Sequence, residues 1–355
     1  TSGVQGTINV TNSSVSYATV KDSYNAGATI EPTNSTNLGN NNIPDGWDFS
    51  VNPIVWTGSS STNWNTAANW SIGVVPSSYD SISIPDASTT DHDLVLEISP
   101  TINDVAIDSN GLMDGSDETL TVTGNWVNNG SFVCSTGTVA FAGTTAISGS
   151  NATTFNNILI SGELTGHATN MNVVGNWINN GTFIHNNGTV TFYGNGVLTT
   201  GGTTDAKDFY NVVKSGNDTT VTLNGDVKIN NDFTISGGTW DVSASNYSMY
   251  VGGDWDGLTG NFTYRSGTVT LFGSGSISVN SSGNWDKRFF NLVLDTNADY
   301  EIYTLSDGFA LFGDDDGTAC GVLTVSSGAT LTIPDEESIG IWYGQILNSG
   351  TITGG

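Results

Sequence analysis

Residues 124–143 read GNWVNNGSFVCSTGTVAFAG, and residues 175–194 read GNWINNGTFIHNNGTVTFYG. Trp126 falls on Trp177 and Asn128-Asn129 on Asn179-Asn180, while Cys134 is replaced by His185. A third version, GDWDGLTGNFTYRSGTVTLFG, starts at Gly253, carries Trp255, and has one additional residue before its Gly-x-Phe step. From that step Gly130, Gly181 and Gly260 align without a gap, and Tyr264 fills the Cys134/His185 position. Each copy is followed by a second phrase: FNNILISG from Phe155, FYNVVKSG from Phe209 and FFNLVLDT from Phe289. Each of these places an asparagine third: Asn157, Asn211 and Asn291. The order holds three times, so these are internal repeats, and the period has to be read before any single residue.

Between the boundaries, apolar and polar residues alternate over five to eight positions, as in TLTVTG, GTVTFYG and GVLTVSSGATLTI, with Gly, Asn or Asp at the ends. That is the pattern of short, half-buried strands bounded by turns. Strands in a supersecondary repeat, with few prolines and no hairpin symmetry, predict an all-β chain that winds as a right-handed parallel β-helix, or β-solenoid. Tandem β-sandwiches are the competing expectation. On the solenoid reading a repeat of about fifty residues makes two coils of ~25, and strand stacking at ~4.8 Å gives a rod of roughly 60–75 Å. The repeated asparagines then form side-chain ladders or occupy left-handed turns, and Trp126, Trp177 and Trp255 cover equivalent corners.

Composition agrees. Of 355 residues, 36% are hydrophobic, enough for a core, and only 12% are charged. The 34 acids against 7 bases give a net charge of −27, which argues against nucleic acid and anionic membranes as partners and favours cations. No stretch approaches the ~18 apolar residues of a membrane span, so no membrane insertion is expected. The chain begins at Thr1 with no visible signal peptide, as expected of a mature product or an excised piece. Cys134 and Cys320 would lie some 35 Å apart along a solenoid, far beyond the ~4.4–6.8 Å a disulfide needs.

The stretch from Val55, VWTGSSSTNWNTAANWSIGVVP, then SSYDSISIP, running on into the repeated phrases, resembles the repetitive β-solenoid segments of very large secreted bacterial cell-surface proteins of filamentous-haemagglutinin and adhesin-like type. The resemblance covers nearly the whole chain. It implies an extracellular, cell-surface fragment of a tandem array and brings no catalytic set. Residues 1–50 read as terminal coils of a preceding module or a linking segment, 51–119 as a Trp-rich entry segment and first coils, and 120–355 as the repetitive solenoid. Within them a Trp-rich junction or cap is expected near residues 47–75, around Trp56, Trp64 and Trp70.

Chemistry is sparse. His92, His167 and His185 have no ligand-spaced neighbours, and no nucleophile elbow or phosphate loop is present. Asp314, Asp315 and Asp316 in FGDDDGTACG are the calcium candidate, since hard oxygens from a tight turn suit that ion, although the EF-hand spacing is missing and a solvated turn is the blander and favoured reading of the run. Lys287 and Arg288 sit together beside a repeated Phe phrase. Tyr264, Trp285 and Trp342 are candidate sugar-stacking rings, with core or corner packing as the alternative. No cofactor is required. The leading expectation is a non-enzymatic structural protein that self-associates into a surface layer, sheath or filament. An adhesin that binds glycans through one solenoid face, and a polysaccharide lyase or glycosidase on the same scaffold, are the alternatives.

Overall fold

A computed structural model of the chain describes residues 5–9, 15–16, 18–32, 35–37, 41, 46–49, 52–279, 289–304, 309–312, 321–335, 337–342 and 344–354. The fold is a parallel β-solenoid of about 14 turns. Backbone contacts divide it into two units, Thr1–Thr165 and Gly166–Gly355.

In the first unit three parallel ladders are visited in rotation. One stacks Ile82–Ile84, Val105–Ile107, Trp126–Asn128, Thr144–Ser148 and Glu163–Thr165. A second stacks Thr101–Ile102, Thr119–Val122, Thr138–Phe141 and Asn157–Ile160, and a third Leu94–Val95, Leu112–Asp114 and Ser131–Val133. Alternate residues of each strand turn inward, so Leu120, Val122, Val139, Phe141, Ile158 and Ile160 form a continuous core. Each such side chain contributes roughly 1.5–3 kcal/mol when fully buried. Ahead of these coils, Val20, Ile30, Trp47 and Phe49 make a small core of their own.

The second unit repeats the scheme. Met171 stacks on Val190, Val190 on Val212, Val212 on Phe233, Phe233 on Trp255, Trp255 on Ile277 and Ile277 on Ile302. Coil length read from these pairs runs from 19 residues (171 to 190) to 25 (277 to 302), with the other four coils at 21 or 22. This corrects the expectation of two coils per repeat, because a period of about fifty is not a whole number of such coils. The tryptophans therefore do not share a corner. Trp126 pairs with Val105 and Ile147, Trp177 with Leu198, and Trp255 with Phe233 and Ile277; within the second unit Trp177 and Trp255 lie in different sheets.

What recurs is contact within each copy. The GTV strand lies directly against the strand of its own FxN phrase, Val139 on Ile158, Val190 on Val212 and Val269 on Leu292. Each tryptophan meets the Gly-x-Phe phenylalanine edge-on: Trp126–Phe132 at 5.0 Å, Trp177–Phe183 and Trp255–Phe262 at 4.9 Å. Each also meets the phenylalanine that opens the FxN phrase, Phe155, Phe209 or Phe289, at 5.5, 5.2 and 5.0 Å. The repeat thus encodes a Trp–Phe–Phe triad, an arrangement aromatic quadrupoles favour. The glycine closing each GTV phrase has a steric cause: a Cβ on Gly143, Gly194 or Gly273 would come within about 2 Å of the carbonyl of Thr123, Val174 or Gly252 on the coil beneath.

The asparagines divide by role. Asn125, Asn176 and Asp254, each just before its tryptophan, accept through Oδ1 the N–H of Ala146, Val197 and Ser276 one coil on, at 3.2, 2.8 and 2.7 Å. The bond that the three share needs only an acceptor, so Asp serves it as well as Asn. Asn157, Asn211 and Asn291 also donate: Asn157 Nδ2 reaches the carbonyls of Thr136 and Gly137 at 3.1 and 3.2 Å, and the other two reach Thr189 and Thr268 Oγ1. Asn128 and Asn179 are buried. Asn129 accepts the N–H of Ser150, and Asn180 is exposed. The repeated asparagines act through side chains; the left-handed positions belong to others, such as Asn110, Asn186, Asn187 and Asn246. Asn125→Asp is therefore expected to change stability by less than about 0.5 kcal/mol. Asn157→Asp, which turns a carboxylate toward two carbonyls, is expected to cost about 1–3 kcal/mol. Urea denaturation of the two variants checks both, and equal midpoints would refute the division.

Trp56, Trp64 and Trp70 are buried together. Trp70 is edge-on to both others at 5.0 and 4.9 Å, Trp56 Nε1 donates to the His92 carbonyl and Trp70 Nε1 to that of Trp64. Glu97 accepts the N–H groups of Trp64 and Asn65 at 2.8 and 2.9 Å, which fixes the loop to the coil.

Candidate functional site

Three copies of one phrase allow an internal comparison: what all share serves the architecture, and what one copy alone carries is free for other work. The second copy departs from the first at four chemistry-bearing positions, and the third also carries a lysine, Lys287, at the Lys207 position. His185 stands where the first has Cys134, Asp208 where it has Thr154, Tyr210 where it has Asn156, and Lys207 where it has Thr153.

The fold brings most of these together. Asp208 is buried, and its Oδ2 accepts from Asn230 Nδ2 at 2.7 Å, with Lys228 Nζ at 3.5 Å. Lys228 also lies 3.4 Å from the exposed Asp205, a contact worth little in water, and its ammonium stands 6.0 Å from the centre of the Phe272 ring. His185 packs against the Tyr210 ring at 5.4 Å. Its Nδ1 accepts the N–H of Asn187 at 3.0 Å, which leaves the neutral ring's proton on Nε2. That Nε2 then meets Asn230 Nδ2 at 3.4 Å as a contact between two donors, not a hydrogen bond. Asp208 Oδ1 is buried with no partner among the described residues. The network fastens the segment before Phe209 to the coil above, and Lys228 sits between both carboxylates.

On the neighbouring side, the Lys207 ammonium donates to the carbonyls of Asn179 (3.1 Å) and Gly181, and burial lowers its pKa. In the first copy Thr153 Oγ1 instead accepts from both Trp126 Nε1 and Asn128 Nδ2 at 3.0 Å. A lysine cannot accept, and Trp177 Nε1 is left without a partner among the described residues. A second lysine, Lys214, is fully buried at the repeat position held by Ile160 and Leu294, and burial drops its pKa to about 8. These lysines and Asp208 were missed by motif reading, although aligning the residues around each FxN phrase exposes them.

Cys134 is a free thiol, half-buried; burial pushes its pKa up, and the Asp114 carboxylate adds to the shift. It is therefore a poor nucleophile. The crevice beside it, between Phe132, Leu120 and Asn156, holds about 10 Å³, the size of one water. In the second copy the larger His185 and Tyr210 stand at the positions of Cys134 and Asn156. His167 accepts the Thr169 N–H and His92 bonds the Gly58 carbonyl, and no group of three or more potential metal ligands occurs among the described residues. Asp314, Asp315, Asp316, Cys320, Trp285, Lys287 and Arg288 lie outside the described residues, as does the Trp342 side chain; Tyr264 is half-buried. No helix among the described residues is long and apolar enough to cross a membrane.

No protein-family model matches the chain, and no curated protein and no solved structure matches it either.

Proposed function

We propose that this chain is a non-enzymatic structural module of an extracellular surface layer, sheath or filament, working through the stiffness of its coils and through self-association. The observation that carries this reading is where the repeated residues go. Each Trp–Phe–Phe triad, each Asn or Asp before a tryptophan and each FxN asparagine is consumed in holding coils together, so the repeat multiplies scaffold and not a shared reactive site. The low charged fraction and the hydroxyl- and amide-rich outward faces suit hydrogen-bonded packing between copies, and the resemblance to secreted surface proteins supplies the location. Within this proposal calcium at Asp314–Asp316 cross-links neighbouring copies.

Electron microscopy and sedimentation of the purified chain, with and without EDTA, test it. Ordered filaments or sheets are expected, and their collapse in EDTA would assign calcium a part. Monodisperse particles at all concentrations, together with depolymerisation of a polysaccharide, would overturn the structural reading in favour of an enzyme.

A further inference from the structure

The surface is hollowed at the Gly-x-Phe step of two copies. In the first unit a groove of about 490 Å³ is lined by Ser109, Asn110, Asn129, Gly130, Ser131 and Asn151. In the second unit a groove of about 400 Å³ is lined by Asn217, Asp218, Thr239, Thr259, Gly260 and Asn261. Gly130 and Gly260 are the same repeat position, and both volumes fall within the ~300–1,000 Å³ of small-ligand sites. At the corresponding step of the second copy the Gly181 carbonyl is taken by the Lys207 ammonium.

In the first groove each amide is tied at one end. Asn110 Nδ2 donates to Asp86 (3.0 Å), Asn129 Oδ1 accepts the Ser150 N–H (2.8 Å), and Asn151 Nδ2 donates to the carbonyls of Asn129 and Gly130 (3.0 and 2.7 Å). The other end of each, Asn110 Oδ1, Asn129 Nδ2 and Asn151 Oδ1, makes no hydrogen bond with the described residues, nor do the hydroxyls of Ser109 and Ser131. An acceptor, a donor and an acceptor are thereby held on successive coils, ~4.8 Å apart, already oriented. The second groove offers the unengaged amides of Asn217 and Asn261 and the Thr239 hydroxyl.

We infer that these two grooves are equivalent binding sites for a neutral oligosaccharide. A sugar hydroxyl both donates and accepts, so it satisfies either end of an amide, and successive hydroxyls match groups presented once per coil. Neither groove has a basic side chain among its lining residues, and the chain's charge of −27 repels polyanions. Ala87 and Leu112 add apolar surface to the first groove, against which the C–H face of a sugar ring can lie, while the lining of the second groove is predominantly polar. This goes beyond a structural role: a layer or filament with these grooves would also hold a neutral polysaccharide coat.

The test uses the whole chain, titrated with cellohexaose, maltohexaose and mannohexaose, with an oligogalacturonate as the anionic comparison, read by calorimetry and by the side-chain amide resonances of asparagine. Ser131 is exposed, and Asn261 lies at the matching position, so Ser131→Trp and Asn261→Trp fill the grooves from outside the core. At least one neutral hexasaccharide is expected to bind with two sites per chain. Each tryptophan variant should lose one site, and the double variant should lose both while keeping its circular dichroism. Absence of binding by all three neutral hexasaccharides at millimolar concentration overturns the inference, as does undiminished binding to the double variant, or binding of the oligogalacturonate alone.

Discussion

Trp126→Ala is expected to remove about 3–5 kcal/mol from the stability of the first unit, the cost of deleting a large, fully buried aromatic side chain. Trp126 touches Phe132 and Phe155 and donates to Thr153, so the substitution opens a cavity, breaks the triad and strips one donor from a buried hydroxyl. Because stacked coils need not unfold together, hydrogen exchange is the measurement to pair with urea denaturation: protection should fall first in the coils flanking residues 126 and 155. A second comparison isolates the hydrogen bond. Trp126→Phe loses the bond to Thr153, whereas Trp177→Phe deletes an N–H that has no partner. The first should therefore cost about 1 kcal/mol more than the second. Equal costs would mean that Trp177 finds an acceptor in solution, a water included.

The triad also marks how far the sequence carries. Alternation and the threefold phrase are enough for strands, parallel stacking and inward Val, Ile and Phe, since each follows from local period. Coil length does not follow. It depends on how many residues the turns consume between ladders, and turn residues such as Asn186, Asn187 and Asn246 leave no periodic trace. The phrase length therefore suggests two coils with the tryptophans at equivalent corners, whereas they stack on Val105, Leu198 and Phe233 in different strands of the coil. The candidate site was half legible. Aligning the residues before each FxN phrase sets Thr153-Thr154 against Lys207-Asp208, but only the fold joins Asp208 to Asn230 and Lys228, twenty and more residues ahead.

A similar limit applies to the pairing of Asn and Asp. Sequence alone sees Asn125, Asn176 and Asp254 as one polar class with Asn157, Asn211 and Asn291. The distinction lies in whether the amide nitrogen faces a carbonyl or hydroxyl of the preceding coil, which is a property of position around the coil.

Lys214 gives the largest pH-dependent effect expected among the described residues. It faces the core between Phe192 and Ile235, and its ammonium is satisfied by Thr219 Oγ1 at 2.7 Å and by the carbonyls of Ser215 and Gly216. Those neutral acceptors do not replace the water lost, and burial brings the pKa to about 8. In the unfolded chain the same amine titrates near ~10.4. The folded state thus binds its proton more weakly, and between these two values the unfolded state holds more protons. Stability must then rise as pH climbs from about 8 to about 10.4, while below about 8 the full penalty, on the order of 3 kcal/mol, is present and constant. Lys207, also lowered by burial, adds to the rise with the same sign, so the wild-type slope alone does not isolate Lys214. Lys214→Leu does: it places the residue type of Leu294 at the equivalent position and should flatten most of the rise. At neutral pH it should be more stable than wild type by about 1 kcal/mol, less than the full penalty because the Ser215 carbonyl loses its donor. Urea midpoints for both proteins from about pH 7 to about pH 10 decide the matter. Parallel curves would mean that water reaches the amine and that the lysine sits in the core at little cost.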